Sequence, residues 1–204
     1  MKLIKSAYLA LLAVLLSPMA ANATVIEFVP PNDTIGHVYT TNSNDGWNPG
    51  RGIGFTVDSA ETINGVGLFQ DLTRIDLSFG LYEIDSSSGS FSRSATLRTG
   101  GSTVTTSGLE WVDYSIADLL LDPTKIYLLE FEFVGSSNQN FFYDNANVAW
   151  SQDGFNALEG TYGDTFSNFV VAAFRVNSVP EPGTLALLGL GLLGMVGARR
   201  RRKA

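Results

Sequence analysis

Apolar and polar positions alternate with a period of two through most of the middle of this chain. Ile75, Leu77, Phe79 and Leu81 alternate with Asp76, Ser78, Gly80 and Tyr82, and Tyr127, Leu129, Phe131 and Phe133 alternate with Leu128, Glu130 and Glu132. Successive side chains of a strand point to opposite faces, so each run predicts a strand with one apolar face that must be covered. Further strands are predicted over 25–29, 53–57, 63–69, 91–97, 109–116, 141–143, 148–150 and 169–176, separated by Gly, Asn, Asp and Ser clusters such as 85–89. Leu119-Leu120-Leu121-Asp122-Pro123 reads as a turn leading into the Lys125 strand. No amphipathic helix of useful length interrupts the series. Many short strands with Gly-rich turns predict an all-β fold, an antiparallel β-sandwich of jelly-roll-like type.

Both ends break the pattern. Residues 1–23 place Lys2 and Lys5 before an apolar run from Ala7 to Leu16 and close on Ala21-Asn22-Ala23, the order of a cleaved secretory signal peptide, with Ala21 and Ala23 marking the cleavage site. At the other end Pro180-Glu181-Pro182-Gly183 stops regular structure, and an unbroken apolar run follows from Thr184 to Ala198. That run predicts a single C-terminal transmembrane helix of about 24 Å, short against a hydrocarbon core of about 30 Å. Arg199, Arg200, Arg201, Arg202 and Lys203 form a cytoplasmic stop and put the body outside. Five glycines, Gly183, Gly189, Gly191, Gly194 and Gly197, weaken the helix as a permanent span. Three segments result: a signal peptide at 1–23, a β-sandwich ectodomain at 24–178 and a C-terminal signal at 179–204.

Charge looks different once the ends are set aside. The whole chain has a formal net charge of −7, but residues 24–178 hold six strong bases (Arg51, Arg74, Arg93, Arg98, Lys125, Arg175) against nineteen acids, a net of −13. So acidic a body excludes a nucleic-acid partner, which needs a cationic face to displace counterions from phosphate. With no cysteine and one histidine, His37, the chain has no thiolate nucleophile and cannot assemble a zinc site of three imidazoles. No Gly-x-Ser-x-Gly elbow accompanies a serine, so catalytic residues are expected to be none. Glu130 and Glu132 share one strand face, read as a solvated face carrying acids. No cofactor is expected. The candidate for one is calcium, a hard cation suited to the short oxygen side chains of Asp144, Asn145 and Asp153. Trp111, among Leu109, Val112 and Tyr114 in a strand, is read as buried at least in part. Trp47, in Asn44-Asp45-Gly46-Trp47-Asn48-Pro49-Gly50, is the candidate for an exposed glycan contact.

Val179-Pro180-Glu181-Pro182, the Gly-Thr-Leu-Ala-Leu-Leu-Gly-Leu-Gly-Leu-Leu-Gly run and the terminal arginine cluster together resemble the PEP-CTERM sorting signal of Gram-negative bacteria. The resemblance implies an exosortase as partner, a membrane-embedded cysteine enzyme acting near the motif, with Val179, Pro180, Glu181 and Pro182 as its recognition residues. It also implies export through the inner membrane, transient anchoring there, and a final place at the cell surface or in an extracellular matrix with exopolysaccharide and biofilm. A second stretch, Gly54-Phe55-Thr56-Val57, Ile63 to Phe69, Phe79 to Glu83 and Leu119 to Phe131, is similar to β-sandwich ectodomains found above this signal, which bears on the fold alone. The expectation is a non-enzymatic exported protein, with a lectin-like glycan-binding module and a glycoside hydrolase as alternatives.

Overall fold

The computed structural model describes residues 24–28, 37–41, 51–134, 139–144, 151–167 and 171–179. Their regular elements are strands: β1 (Thr24–Glu27), β2 (His37–Thr41), β3 (Arg51–Val57), β4 (Glu61–Gln70), β5 (Ile75–Ile84), β6 (Arg93–Val104), β7 (Glu110–Leu121), β8 (Ile126–Val134), β9 (Gln139–Asp144), β10 (Ser151–Gln152), β11 (Phe155–Tyr162), β12 (Thr165–Ser167), β13 (Val171–Ala172) and β14 (Phe174–Val179). No helix occurs among the described residues. The predicted signal peptide, the transmembrane helix and the 148–150 strand lie outside them.

A four-stranded sheet has the order β1-β14-β4-β7, a seven-stranded sheet the order β10-β11-β3-β8-β5-β6 with β12 added to β11, and a three-stranded sheet the order β13-β9-β2. The recorded pairings are antiparallel. Among the described residues, consecutive strands pair only as β5–β6, β10–β11 and β11–β12. The chain instead passes between the four- and seven-stranded sheets at β3 to β4, β4 to β5, β6 to β7 and β7 to β8, so these four connections close the two layers over each other.

The alternating apolar faces meet in one core. Ile53, Phe55, Leu77, Phe79, Leu129 and Phe131 from the larger sheet are buried with Ile26, Ile63, Val66, Leu68, Phe174 and Val176 from the smaller. Aromatic rings span the gap: Phe131 stacks on Phe174 with centroids 5.4 Å apart, Phe28 lies 5.2 Å from Phe55, and Phe79 lies 5.0 Å from Tyr114. A register shift between Ile63 and Gly65 lets Ile63 and Val66, three positions apart, both point inward.

Several boundaries depart from expectation. β6 runs to Val104 rather than 97, because Thr99 to Thr103 satisfy the ladder on β5 without an apolar face. Leu119, Leu120 and Leu121 belong to β7, and the turn begins at Asp122, whose carboxylate accepts from the Thr124 amide at 2.8 Å. β11 was not predicted from the sequence. Its period is broken by a bulge between Ala157 and Gly160. Asp153 and Gly154 join β10 to β11 with φ of 49° and 83°, the left-handed pair that a two-residue hairpin of this hand requires.

Candidate functional site

The sequence points first to residues 179–182, and the structure reaches that segment from one side. β14 is an inner strand, held between β1 and β4, and its last residue is Val179. Val25, Ile26 and Glu27 of β1 pair with Asn177, Val176 and Arg175, and Thr24 pairs with Ser178. Phe28 N–H donates to the Phe174 carbonyl at 2.8 Å, and on the opposite side Phe69 N–H donates to the Ala173 carbonyl at 2.9 Å. Ser178 is buried, and its hydroxyl donates to the Glu61 carboxylate at 3.5 Å. Phe174 and Val176 are fully buried. Pulling this strand out to expose them would cost about 2 kcal/mol for each side chain before any hydrogen bond is counted. The chain is therefore held in the sheet up to the first residue of the proposed motif.

Of the other residues singled out, Pro180, Glu181, Pro182, Arg199, Arg200, Arg201, Arg202, Lys203, Ala21, Ala23, Trp47 and Asn145 lie outside the described residues. Asp144 ends β9, and Asp153 is the exposed turn residue of the β10–β11 hairpin. His37 opens β2. Among the described residues no group of three or more His, Cys, Asp or Glu is placed to hold a metal ion.

Trp111 is half-buried, as expected. It pairs with Phe69 on the outer face of the smaller sheet, ring centroids 5.2 Å apart, because the inward positions of β7 are taken by Val112, Tyr114 and Ile116. The Arg175 guanidinium lies 4.3 Å from its ring centroid. Arg175 Nε donates to Asp113 Oδ1 at 2.8 Å, Nη2 reaches Asp113 Oδ2, and Glu27 Oε1 stands 3.7 Å from Nη1. The arginine crosses Gly67 to make this reach, and a Cβ there would stand 3.0 Å from Arg175 Cγ.

The second cluster was not legible as a site. Glu130 is 5% exposed, which corrects the expectation of a solvated acidic face. A second layer covers this side of the larger sheet. The 85–92 loop is tied to the β11–β12 hairpin by Phe91 N–H to the Asp164 carbonyl at 3.0 Å and Phe166 N–H to the Gly89 carbonyl at 2.8 Å. Phe91 and Phe166 pack edge to face at 5.1 Å and bury Ile84 and Leu128 beneath them. Arg93 passes between the layers, with its guanidinium 5.0 Å from the Tyr82 ring centroid. Its Nη2 donates to both Glu130 oxygens at 2.9 Å, and its Nη1 reaches Asp164 on the covering hairpin. Glu130 is flanked in register by Gly52 and Gly80, which have no side chains to compete for the space. A Cβ at Gly52 would stand 2.7 Å from both Leu128 Cδ1 and Thr161 Oγ1. Among the described residues the buried Thr161 hydroxyl has no hydrogen-bond partner.

Burial pushes the Glu130 carboxyl up to about 7, with Arg93 pulling against it and the negative charges of Asp164 and Glu132 adding to it. Unfolded, the same group titrates near 4.5. Between those values the folded protein holds a proton that the unfolded chain has released. The contribution is therefore fully present below pH 4.5 and is lost as the pH rises through about 7. Urea unfolding should show a loss of about 3 kcal/mol across this window that is absent in Glu130→Gln. An unchanged profile in that variant would assign the dependence elsewhere.

Among solved structures the chain is similar to one described as the structure of infectious bursal disease virus, Gt strain, with a TM-score of 0.31 and 11% identity, over 78% of this chain and 38% of that one. The chain thus spans less than half the length of that relative. No curated protein matches it. Residues 178–202 match the family described as the PEP-CTERM protein-sorting motif, which makes this chain consistent with a PEP-CTERM domain-containing protein.

Proposed function

We propose that this is a non-enzymatic exported protein, held briefly in the inner membrane by its C-terminal segment, processed there by an exosortase and delivered to the cell surface or the extracellular matrix. The observation that carries the reading is the match of residues 178–202 to the sorting motif. β14 supports it by delivering the chain to Val179 as an extended strand. Pro180 and Pro182 disfavour helix beyond that point, and a peptide-cleaving enzyme takes its substrate extended. The net charge of −13 on residues 24–178 suits a matrix in which divalent cations bridge acidic protein to acidic exopolysaccharide.

The glycoside hydrolase reading is the weaker one. A retaining or inverting enzyme needs a carboxylic acid that can reach the glycosidic oxygen, whereas both oxygens of the buried Glu130 are taken by Arg93. A lectin-like role through Trp47 remains the alternative and predicts saturable binding on a sugar array that Trp47→Ala abolishes.

Intact mass measurement of the mature protein, from cells with and without the exosortase, tests the reading. Wild-type cells should yield a chain lacking Arg199 to Ala204, and enzyme-deficient cells one that retains them. A Pro180→Ala/Glu181→Ala/Pro182→Ala variant should behave as the deficient strain does. A tail still ending at Ala204 in wild-type cells would sink the proposal.

A further inference from the structure

β6 ends the seven-stranded sheet and pairs on one side only, with β5. The other edges of the two larger sheets are short or blocked. β1 has four residues, and its Glu27 N–H donates to the Gln152 side chain at 3.3 Å. β10 has two residues and β12 has three. On β7 the Ala117 and Asp118 carbonyls accept from Arg98, from Nε at 3.2 Å and from Nη2 at 3.0 Å. β6 itself is protected in its first half alone. Arg93 and Arg98 lie there, and so do both register shifts against β5, between Leu81 and Tyr82 and between Glu83 and Ile84. Bulges and charges of this kind keep a strand edge from pairing with another chain. From Thr99 to Val104 the ladder is regular and holds no charge and no proline, and Thr99, Gly100, Gly101, Ser102 and Thr103 are exposed. Among the described residues of these two sheets, this is the extended edge left without such protection.

Charge decides what can approach it. Residues 24–178 carry a net of −13, yet no Asp or Glu occurs from 86 to 109, the longest acid-free run of the body. Asp76 on β5, opposite Thr103, accepts from its hydroxyl. Two copies of so acidic a body repel each other least where both present this strip. Opposed residues of an antiparallel pair share a face, and Thr99 and Thr103 share the outer one, in register with Gly80 and Asp76. A two-fold axis at Gly101 therefore sets Thr99 of each copy opposite Thr103 of the other, giving two Thr pairs of the kind that stabilise a sheet. We propose that two copies of this chain join β6 to β6, antiparallel about Gly101, and so extend the larger sheet across both. This is independent of the sorting role. Few residues on each side make a small contact, so the dimer is weak and concentration-dependent.

The test uses the full chain, purified in a mild detergent and followed by sedimentation. It should form a reversible dimer that tightens as salt rises from about 0.05 to about 0.5 M, because screening relieves the repulsion between like-charged bodies. Thr99→Asp, at an exposed position, puts an acid into the strip of each copy and should weaken the dimer about tenfold or more, whereas Thr99→Ser should leave it unchanged. Cross-linking reads the register, on a chain that has no cysteine of its own. Opposed residues lie about 4.5–5.5 Å apart between Cα atoms, within disulfide reach. Thr99→Cys/Thr103→Cys should therefore give a reducible dimer on mild oxidation. Either change alone should not, because the two copies of one position then lie about 13 Å apart along the strands. Gly101 is unsuited to the cysteine, since a Cβ there would stand 2.6 Å from the Leu77 carbonyl oxygen. A monomer at every concentration overturns the proposal, and so does a dimer that Thr99→Asp leaves intact or that the single cysteine variants trap as readily as the double one.

Discussion

Replacing Arg93 by alanine is expected to destabilise the protein by about 3–5 kcal/mol at pH 8, the usual cost of leaving a buried charge without its partner. The side chain of Glu130 is 6% exposed and that of Arg93 is 22% exposed, so solvent offers the abandoned carboxylate little relief. The same guanidinium also ties the β11–β12 hairpin to the sheet through Asp164, so the covering layer loses its polar tether together with the charge pair. The cost should depend on pH. With the Glu130 carboxyl pushed up to about 7, the group is neutral at pH 5, and the loss there falls to the hydrogen bonds alone, about 1–2 kcal/mol. Adding Glu130→Gln to Arg93→Ala should recover most of the difference at pH 8, because no charge is then left behind. Urea unfolding of the four proteins at both pH values checks this. Equal losses at pH 5 and pH 8, or no recovery in the double variant, would show that the pair does not tie the covering layer down.

How far this cluster could be read from the sequence turns on Leu128. The run from Tyr127 to Phe133 shows one apolar face clearly, and that face is the core. The other face carries Leu128 beside Glu130 and Glu132, and Leu128 is fully buried. A leucine among acids was the one mark that this side is covered too. What covers it was hidden, because β11 has a broken alternation and the 85–92 loop is a Ser-rich turn whose lone aromatic, Phe91, packs outside the main core. Arg93 gave no warning either, since its three partners come from 37 to 71 residues away or from a ring that the strand pattern assigns to a polar face. By contrast the main strands were legible, since β4, β5, β7 and β8 each carry at least one long stretch of alternation. The sorting motif was legible for a different reason. Its chemistry is written in contiguous residues, whereas the Arg93 cluster exists only after β5, β6, β8 and the β11–β12 turn have been brought together.

Phe131→Ala should produce a loss of comparable size through a different term. The ring is fully buried and lies at the join of the two sheets, stacked on Phe174 at 5.4 Å with 16° between planes, and near Phe79 at 6.1 Å and Tyr114 at 6.3 Å. Truncation removes apolar area from the core and also leaves a void that three rings from separate strands cannot all move to fill. Buried Phe to Ala changes of this kind cost about 3–5 kcal/mol. Phe131→Leu keeps most of the volume, so its loss should be smaller, about 1–2 kcal/mol. Leu109→Ala serves as the control, since Leu109 is 40% exposed and its removal should move stability by less than about 0.5 kcal/mol. Unlike the Arg93 loss, the Phe131 loss should be the same at pH 5 and pH 8, because no carboxylate or imidazole stands in the contact. The urea midpoint should fall while the slope of the transition stays constant, as expected when both sheets unfold together. If Phe131→Ala loses less than about 1 kcal/mol, or splits the transition in two, the layers do not share one cooperative core. β14 would then lose the support that Phe174 draws from Phe131 and would be held by its pairing with β1 and β4.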